Sequence, residues 1–201
     1  MMFFGFIQRD RLGFGHAVYG CREFTQGEPI LLLLGDMLYQ TDEEKSCCRQ
    51  IMDAYTECGR TMVGLQEVEL SQVVHYGILS GEWTDEAEQL MKVSVMTEKP
   101  AVDVAKGRLR VDRKEGRSHY YATFGQYVMT CEVFDALEKM IRQEKKSGGE
   151  YQLTDALEMV RKKAGLYGLR INGESFGLGI PEGYRKAVAE FGVSPLQRKR
   201  L

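Results

Sequence analysis

Apolar residues gather in short runs with β-branched or aromatic content at 3–8, 29–35, 60–66, 73–80, 89–97 and 119–129. Each run is bounded by glycine or charge and predicts a strand. Elsewhere the spacing changes to three and four, over residues 15–24, 43–58, 131–144, 153–164 and 181–191. Ile51, Met52 and Tyr55 make one helical face there, and Leu157, Val160 and Ala164 another. Strands alternating with helices at this spacing predict an α/β fold with a largely parallel sheet. The unbroken run ILLLL at 30–34 predicts a central parallel strand, because a strand covered on both faces does not alternate. The charged, glycine-broken stretch 103–119 predicts an exposed hairpin or loop, and KKSGG at 145–149 ends a helix and starts a connection.

Composition narrows this picture. A chain of 201 residues with 43% hydrophobic and 28% charged residues suits one domain with a full core. A net charge of −2 gives no electrostatic reason to expect nucleic acid. The five cysteines are odd in number and form no C-x-x-C pair, which fits a reducing cytoplasm better than a disulfide framework or a zinc site. The opening MMFFGFIQ is too short for a signal-peptide core, has no cationic stretch before it and meets charge at Arg9. It reads as a strand, with no membrane role.

Several positions offer chemistry, each beside a plainer reading. In open α/β sheets ligands bind beyond the carboxyl ends of strands, where Asp36 follows the oily run and Gly35. That carboxylate either holds Mg²⁺, and through it a phosphate, or caps a turn. RLGFGHAVYG at 11–20 sets two glycines before a predicted helix but has Val18 where a dinucleotide fingerprint needs its third glycine. It is a phosphate- or base-contacting turn, or a strand-to-helix turn with no ligand. His16 has no serine or cysteine nucleophile arranged with it, so packing or capping is its plainer role. Glu98 and Lys99 precede Pro100 in MTEKPAV, where Lys99 offers a point charge to a phosphate or the two form a solvated strand end. Thr154 and Asp155 open a helix, where acids suit the dipole with or without a ligand.

Taken together and in chain order, FIQRDRLGFGHAV, ILLLLGDML, HYGIL, TEKP, ATFGQYVMTCEVFDAL, GGEYQLTDAL and GYRKAVAEFG resemble bacterial UTP–glucose-1-phosphate uridylyltransferases, within the sugar-phosphate nucleotidyltransferase family. The resemblance runs from residue 6 to residue 192. It implies a Rossmann-like α/β nucleotidyltransferase fold with a mostly parallel mixed sheet. It also implies a reaction in which the phosphate of glucose 1-phosphate attacks the α-phosphorus of UTP and releases pyrophosphate, with Mg²⁺ as cofactor. By matching motif, Gln8 and Gly13 are implied as uracil contacts with His16 beside them, and Asp36 as the Mg²⁺ ligand near the nucleotide phosphates. Tyr76 and Gly77 are implied to line the sugar pocket, Glu98 to accept from glucose hydroxyls and Lys99 to contact the sugar phosphate; Lys99 and Asp36 are the catalytic pair.

Three departures shape the expectation. Nothing in residues 1–12 resembles the family's Gly-rich G-x-G-T-R loop, so the nucleotidyltransferase domain of residues 1–192 is expected to be N-terminally truncated, with residues 193–201 a solvated basic tail. The family's second metal-binding Asp falls on Gly177. Glu174 does not replace it, because three residues along a strand is about 10 Å and the opposite face. HYYA at 119–122 stands where the family has Ser-Asn-x-Ala. These departures imply impaired activity for this chain alone. The alternative is a non-catalytic nucleotide-sugar-binding or regulatory module, and either form could assemble as a homo-oligomer or with a completing chain.

Overall fold

The computed structural model describes residues 5–114, 116 and 118–192. The chain opens without regular structure over residues 5–12, then forms α1 (Phe14–Tyr19), α2 (Arg22–Thr25), β1 (Ile30–Leu33), β2 (Met37–Gln40) and α3 (Cys47–Cys58). β3 (Met62–Val68), a 3₁₀ turn (Leu70–His75), β4 (Gly77–Trp83) and β5 (Leu90–Glu98) follow, then α4 (Val102–Arg108), β6 (Val111–Asp112) and β7 (Ser118–Met129). The chain closes with α5 (Cys131–Arg142), α6 (Leu153–Ala164), β8 (Tyr167–Arg170), β9 (Glu174–Gly177) and α7 (Pro181–Glu190).

β7 organises the sheet. It pairs with β3 along most of its length, while β1 joins it at residues 126–129 and β4 at residues 121–122. From β3 the pairing continues to β8 and β5, and β5 returns to β4. β2 and β9 form a separate two-stranded ladder. The long helices cover the two faces. α5 turns Val133, Phe134, Ala136, Leu137 and Met140 inward and α6 turns Leu153, Ala156, Leu157 and Val160, all in one core with Val63, Leu65, Met91 and Tyr127. On the other face α3 inserts the fully buried Ile51 among Met62, Phe124, Val128 and Ile171. Side-chain burial of this kind contributes about 1.5–3 kcal/mol for each large aliphatic group. Ser46 starts α3 by accepting from Arg49 N–H at 3.3 Å, and Gly59 ends it at φ 65.

The α/β class and the mixed sheet are as the pattern predicts, and the pairing sense is a correction. Among the described residues only β3–β8 is parallel. Residues 84–89 are too short a link for a parallel crossover, so β4 and β5 form an antiparallel pair. ILLLL is not a central parallel strand: β1 pairs with β7 alone among the described residues, antiparallel, and Leu33 is 44% exposed. A short apolar run does not separate the two cases, because covering by neighbours and not periodicity decides them.

Other boundaries moved for local reasons. Residues 5–8 form no strand, and residues 3 and 4 lie outside the described residues. The predicted helix 15–24 is two short helices, and 73–80 divides into the 3₁₀ turn and β4. The charged stretch is a loop only in part: α4 buries Ala105, with Leu109 just beyond it also buried, before β6 makes the expected hairpin with β7. No helix of the described residues is long and apolar enough to cross a membrane.

Candidate functional site

Gln8, Gly13 and His16 come together at the start of α1. The Gln8 side-chain amide donates to Gly13 O at 3.0 Å and lies 3.1 Å from His16 Nδ1. An accepting Nδ1 puts the ring proton on Nε2. Gly13 has φ 101, and a Cβ there would stand 2.7 Å from Glu150 Cβ and 2.9 Å from Tyr151 O. The glycines of RLGFG are thus filled by the protein's own chain. Tyr151 N–H donates to Leu12 O at 2.8 Å, and Gly15 N–H donates to Tyr151 O at 2.9 Å. The Tyr151 ring stacks beside His16 with centroids 6.2 Å apart.

Asp36 occupies the exposed turn between β1 and β2. Leu34 N–H donates to Gly125 O at 3.1 Å as the chain leaves β1, and Leu178 N–H donates to Asp36 O at 2.7 Å. The residues facing the carboxylate are small: Asp36 Oδ2 would lie 3.3 Å from a Cβ on Gly179. Met37 is the Cα partner of Gly177, so position 177 stands opposite the residue that follows Asp36, with no side chain to offer. Glu174 lies at the far end of the same ladder, opposite Gln40, and accepts from its amide at 3.1 Å. Among the described residues no group of three or more His, Cys, Asp or Glu side chains forms a metal cage. One exposed carboxylate does fit Mg²⁺, which keeps several waters and takes substrate phosphates in place of protein ligands.

Tyr76, Gly77, Glu98 and Lys99 meet where β4 begins and β5 ends. Gly77 and Glu98 are Cα partners, and Lys99 N–H donates to Tyr76 O at 3.0 Å. Glu98 Oε2 would be 3.0 Å from a Cβ on Gly77, so the absent side chain is the space the carboxylate uses. Lys99 is held at φ 42, a left-handed conformation uncommon for a side-chain-bearing residue, and makes no ion pair among the described residues.

Four residues that sequence reasoning did not assign complete the picture. Thr154 Oγ1 donates to Glu98 Oε2 at 2.9 Å. Tyr151 clamps the Gly13 turn, as above. Thr123 packs its methyl against Gly77, and the buried Tyr127 phenol is hydrogen-bonded with Thr123. Burial pushes that phenol up to about 12, the Thr123 hydrogen bond opposes the rise, and the Glu98 charge adds to it. The sequence marks Thr154 only as a first-turn residue; its reach to Glu98 spans 56 positions and has no local signal. β7 ties two of the three clusters together, with Thr123 beneath Gly77 and Gly125 bonded through its carbonyl to Leu34 and to Tyr39 Oη at 2.7 Å. The HYYA run divides: Tyr121 is fully buried and packs edge-on against Trp83, while Tyr120 and Ala122 pack in one cluster with Tyr76 and Ile78. A cavity of about 340 Å³, lined in part by Gln66, Arg170, Ser175 and Lys186, adjoins the site at Tyr76.

Comparison with known proteins bears on the fold and the family. The family model described as nucleotidyl transferase matches residues 6–173. The chain is 32% identical over 186 residues to UTP–glucose-1-phosphate uridylyltransferase 1 of Staphylococcus saprophyticus, covering 92% of this chain and 58% of that protein. It is 30% identical over 192 residues to the UTP–glucose-1-phosphate uridylyltransferase of Staphylococcus haemolyticus, covering 96% and 60%. Among solved structures, a UDP-glucose pyrophosphorylase complexed with UDP-glucose superposes with TM-score 0.76 at 28% identity, over 90% of this chain and 62% of that one. The apo form of a UDP-glucose pyrophosphorylase gives 0.77 at 26% identity, over 96% and 63%. The chain therefore spans about 60% of the length of the relatives it matches. With a model match over most of its length and a shared α/β architecture, this chain belongs to the nucleotidyl transferase family.

Proposed function

We propose that the protein is a uridylyltransferase forming UDP-glucose and pyrophosphate from UTP and glucose 1-phosphate, with impaired activity in this chain alone. The observation that carries this reading is the junction at Gly77. A carboxylate and a lysine with no ion pair among the described residues stand at one strand end there, joined through residues 150–154 to the Gln8–Gly13–His16 turn. The relatives' names support the substrates, because two are uridylyltransferases and one neighbour holds UDP-glucose.

In this reading Gln8 spends its amide N–H on Gly13 O and keeps its amide oxygen to accept from the uracil ring, with Gly13 and His16 beside it. Glu98 accepts from glucose hydroxyls through the oxygen that Thr154 does not hold, and Tyr76 and Gly77 wall the sugar. The Lys99 ammonium draws the sugar phosphate towards the triphosphate; one such charge pair near a protein surface amounts to about 4 kcal/mol at 4 Å. A phosphate oxygen of glucose 1-phosphate forms a bond to the α-phosphorus, the bond to the β-phosphate oxygen breaks, and pyrophosphate carries away the electron pair. Positioning and charge neutralisation supply most of the catalysis. Asp36 would hold Mg²⁺, which when bound neutralises phosphate charge. Residues 1–192 would form this domain and 193–201 a basic tail, in a cytoplasmic setting that keeps five unbridged thiols reduced.

A second reading is a nucleotide-sugar-binding or regulatory module without catalysis, and it is favoured by Gly177 at the place of the expected second Asp, with no acidic cage around Asp36 among the described residues. A coupled pyrophosphate-release assay with UTP, glucose 1-phosphate and Mg²⁺ separates the two. Slow turnover supports the impaired enzyme, and UDP-glucose binding without turnover supports the module. β1, paired along one edge only among the described residues, suits a completing chain or a second copy, which sizing by light scattering would register as an oligomer.

A further inference from the structure

One short segment touches both halves of the site. Tyr151 uses its backbone N–H and carbonyl together, on Leu12 at 2.8 Å and on Gly15 at 2.9 Å. Gly13 and Gly15 have no side chains to keep it away: a Cβ on either would come within 2.7 Å of residue 150 or 151. Within the segment the Gln152 amide donates to the Glu150 carboxylate at 3.1 Å. Two residues on, Leu153, Ala156 and Leu157 lock the start of α6 into the core. Gln152 at its N-cap makes no side-chain cap, and the Thr154 hydroxyl goes to Glu98 Oε2 at 2.9 Å.

We infer that Glu150–Thr154 is a strap that fixes the spacing between the nucleotide half and the sugar half of the site, and that Thr154 is the positioning residue for Glu98. The inference rests on the reading of Glu98 as the sugar-facing carboxylate. Glu98 is exposed, and an exposed glutamate samples many rotamers. A hydroxyl carried on a core-anchored helix removes that freedom before the ligand arrives, which is how pre-organisation raises affinity. With Oε2 occupied, Oε1 is the atom presented to a sugar hydroxyl. The same helix start places its positive end near the carboxylate.

The test is calorimetric titration of the full chain with UDP-glucose and, separately, UMP, using wild type, Thr154→Val and Thr154→Ser. The valine is isosteric and removes only the donor. It should weaken UDP-glucose about tenfold, the scale of a lost hydrogen bond to a charged group. UMP affinity and the melting temperature should stay unchanged, and serine should restore the loss. Unchanged UDP-glucose affinity in Thr154→Val overturns the inference, and so does an equal loss for UMP. Failure of the wild-type chain to bind UDP-glucose overturns the site reading itself, and the inference with it.

Discussion

Met37 and Gly177 are Cα partners across the β2–β9 ladder, which sets position 177 opposite the residue that follows Asp36. A Cβ on Gly177 would meet only Met37 Sδ, at 3.6 Å, an ordinary contact. Gly177→Asp is therefore expected to fold normally and to add a second carboxylate to the turn. Divalent binding followed by calorimetry with Mn²⁺ should tighten about tenfold or more, as ligand charge rises. An unchanged affinity would show that the two side chains do not converge.

Lys99 joins strain to chemistry. Its left-handed backbone, φ 42, costs on the order of 1 kcal/mol or more for a residue with a Cβ. Lys99→Gly should raise stability to denaturant by about that amount while weakening UDP-glucose binding. A variant that loses both stability and binding would mean that the conformation is held by the side chain and not stored against it.

Gly13 should tolerate nothing larger. An alanine there meets Glu150 Cβ at 2.7 Å and must hold φ 101, so Gly13→Ala is expected to destabilise the chain by about 1–3 kcal/mol. It should also release the Tyr151 clamp, which amide exchange at Gly15 would register as faster exchange. Slow exchange at Gly15 in the variant would contradict the clamp.

Acid should act through Glu88. This carboxylate is buried and accepts from Arg113 Nε and from Lys114 N–H, each at 2.8 Å, and the Arg113 guanidinium holds it below the usual carboxylate range. A depressed folded-state pKa stabilises the protein above the unfolded value, about 4.3, and that stabilisation fades as pH falls through the folded value. Glu88→Gln should thus melt lower than wild type at pH 7, with the gap closing below about pH 4. A gap that stays constant with pH would assign the loss to packing and not to the charge.

Much of this was written in the local pattern, and the exceptions share a cause. α3, α5, α6 and β7 were legible because twelve residues of sustained periodicity report burial directly. β2, β8 and β9 were missed because four-residue strands such as ESFG and YGLR become strands only through their partners. The edge position of β1 has the same origin, since covering depends on residues far away in sequence. At the site, the motifs brought Gln8 to His16 and Tyr76 to Lys99, while the Thr154–Glu98 bond that joins those groups is a tertiary fact with no local trace.

The central claim is that this chain holds a nucleotide-sugar site between the Gly13 turn and the Glu98–Lys99 strand end. Calorimetric titration of the full chain with UDP-glucose tests it most directly. The account predicts saturable heat with one site per chain, diminished in Lys99→Gly; no heat at about 1 mM ligand would contradict it.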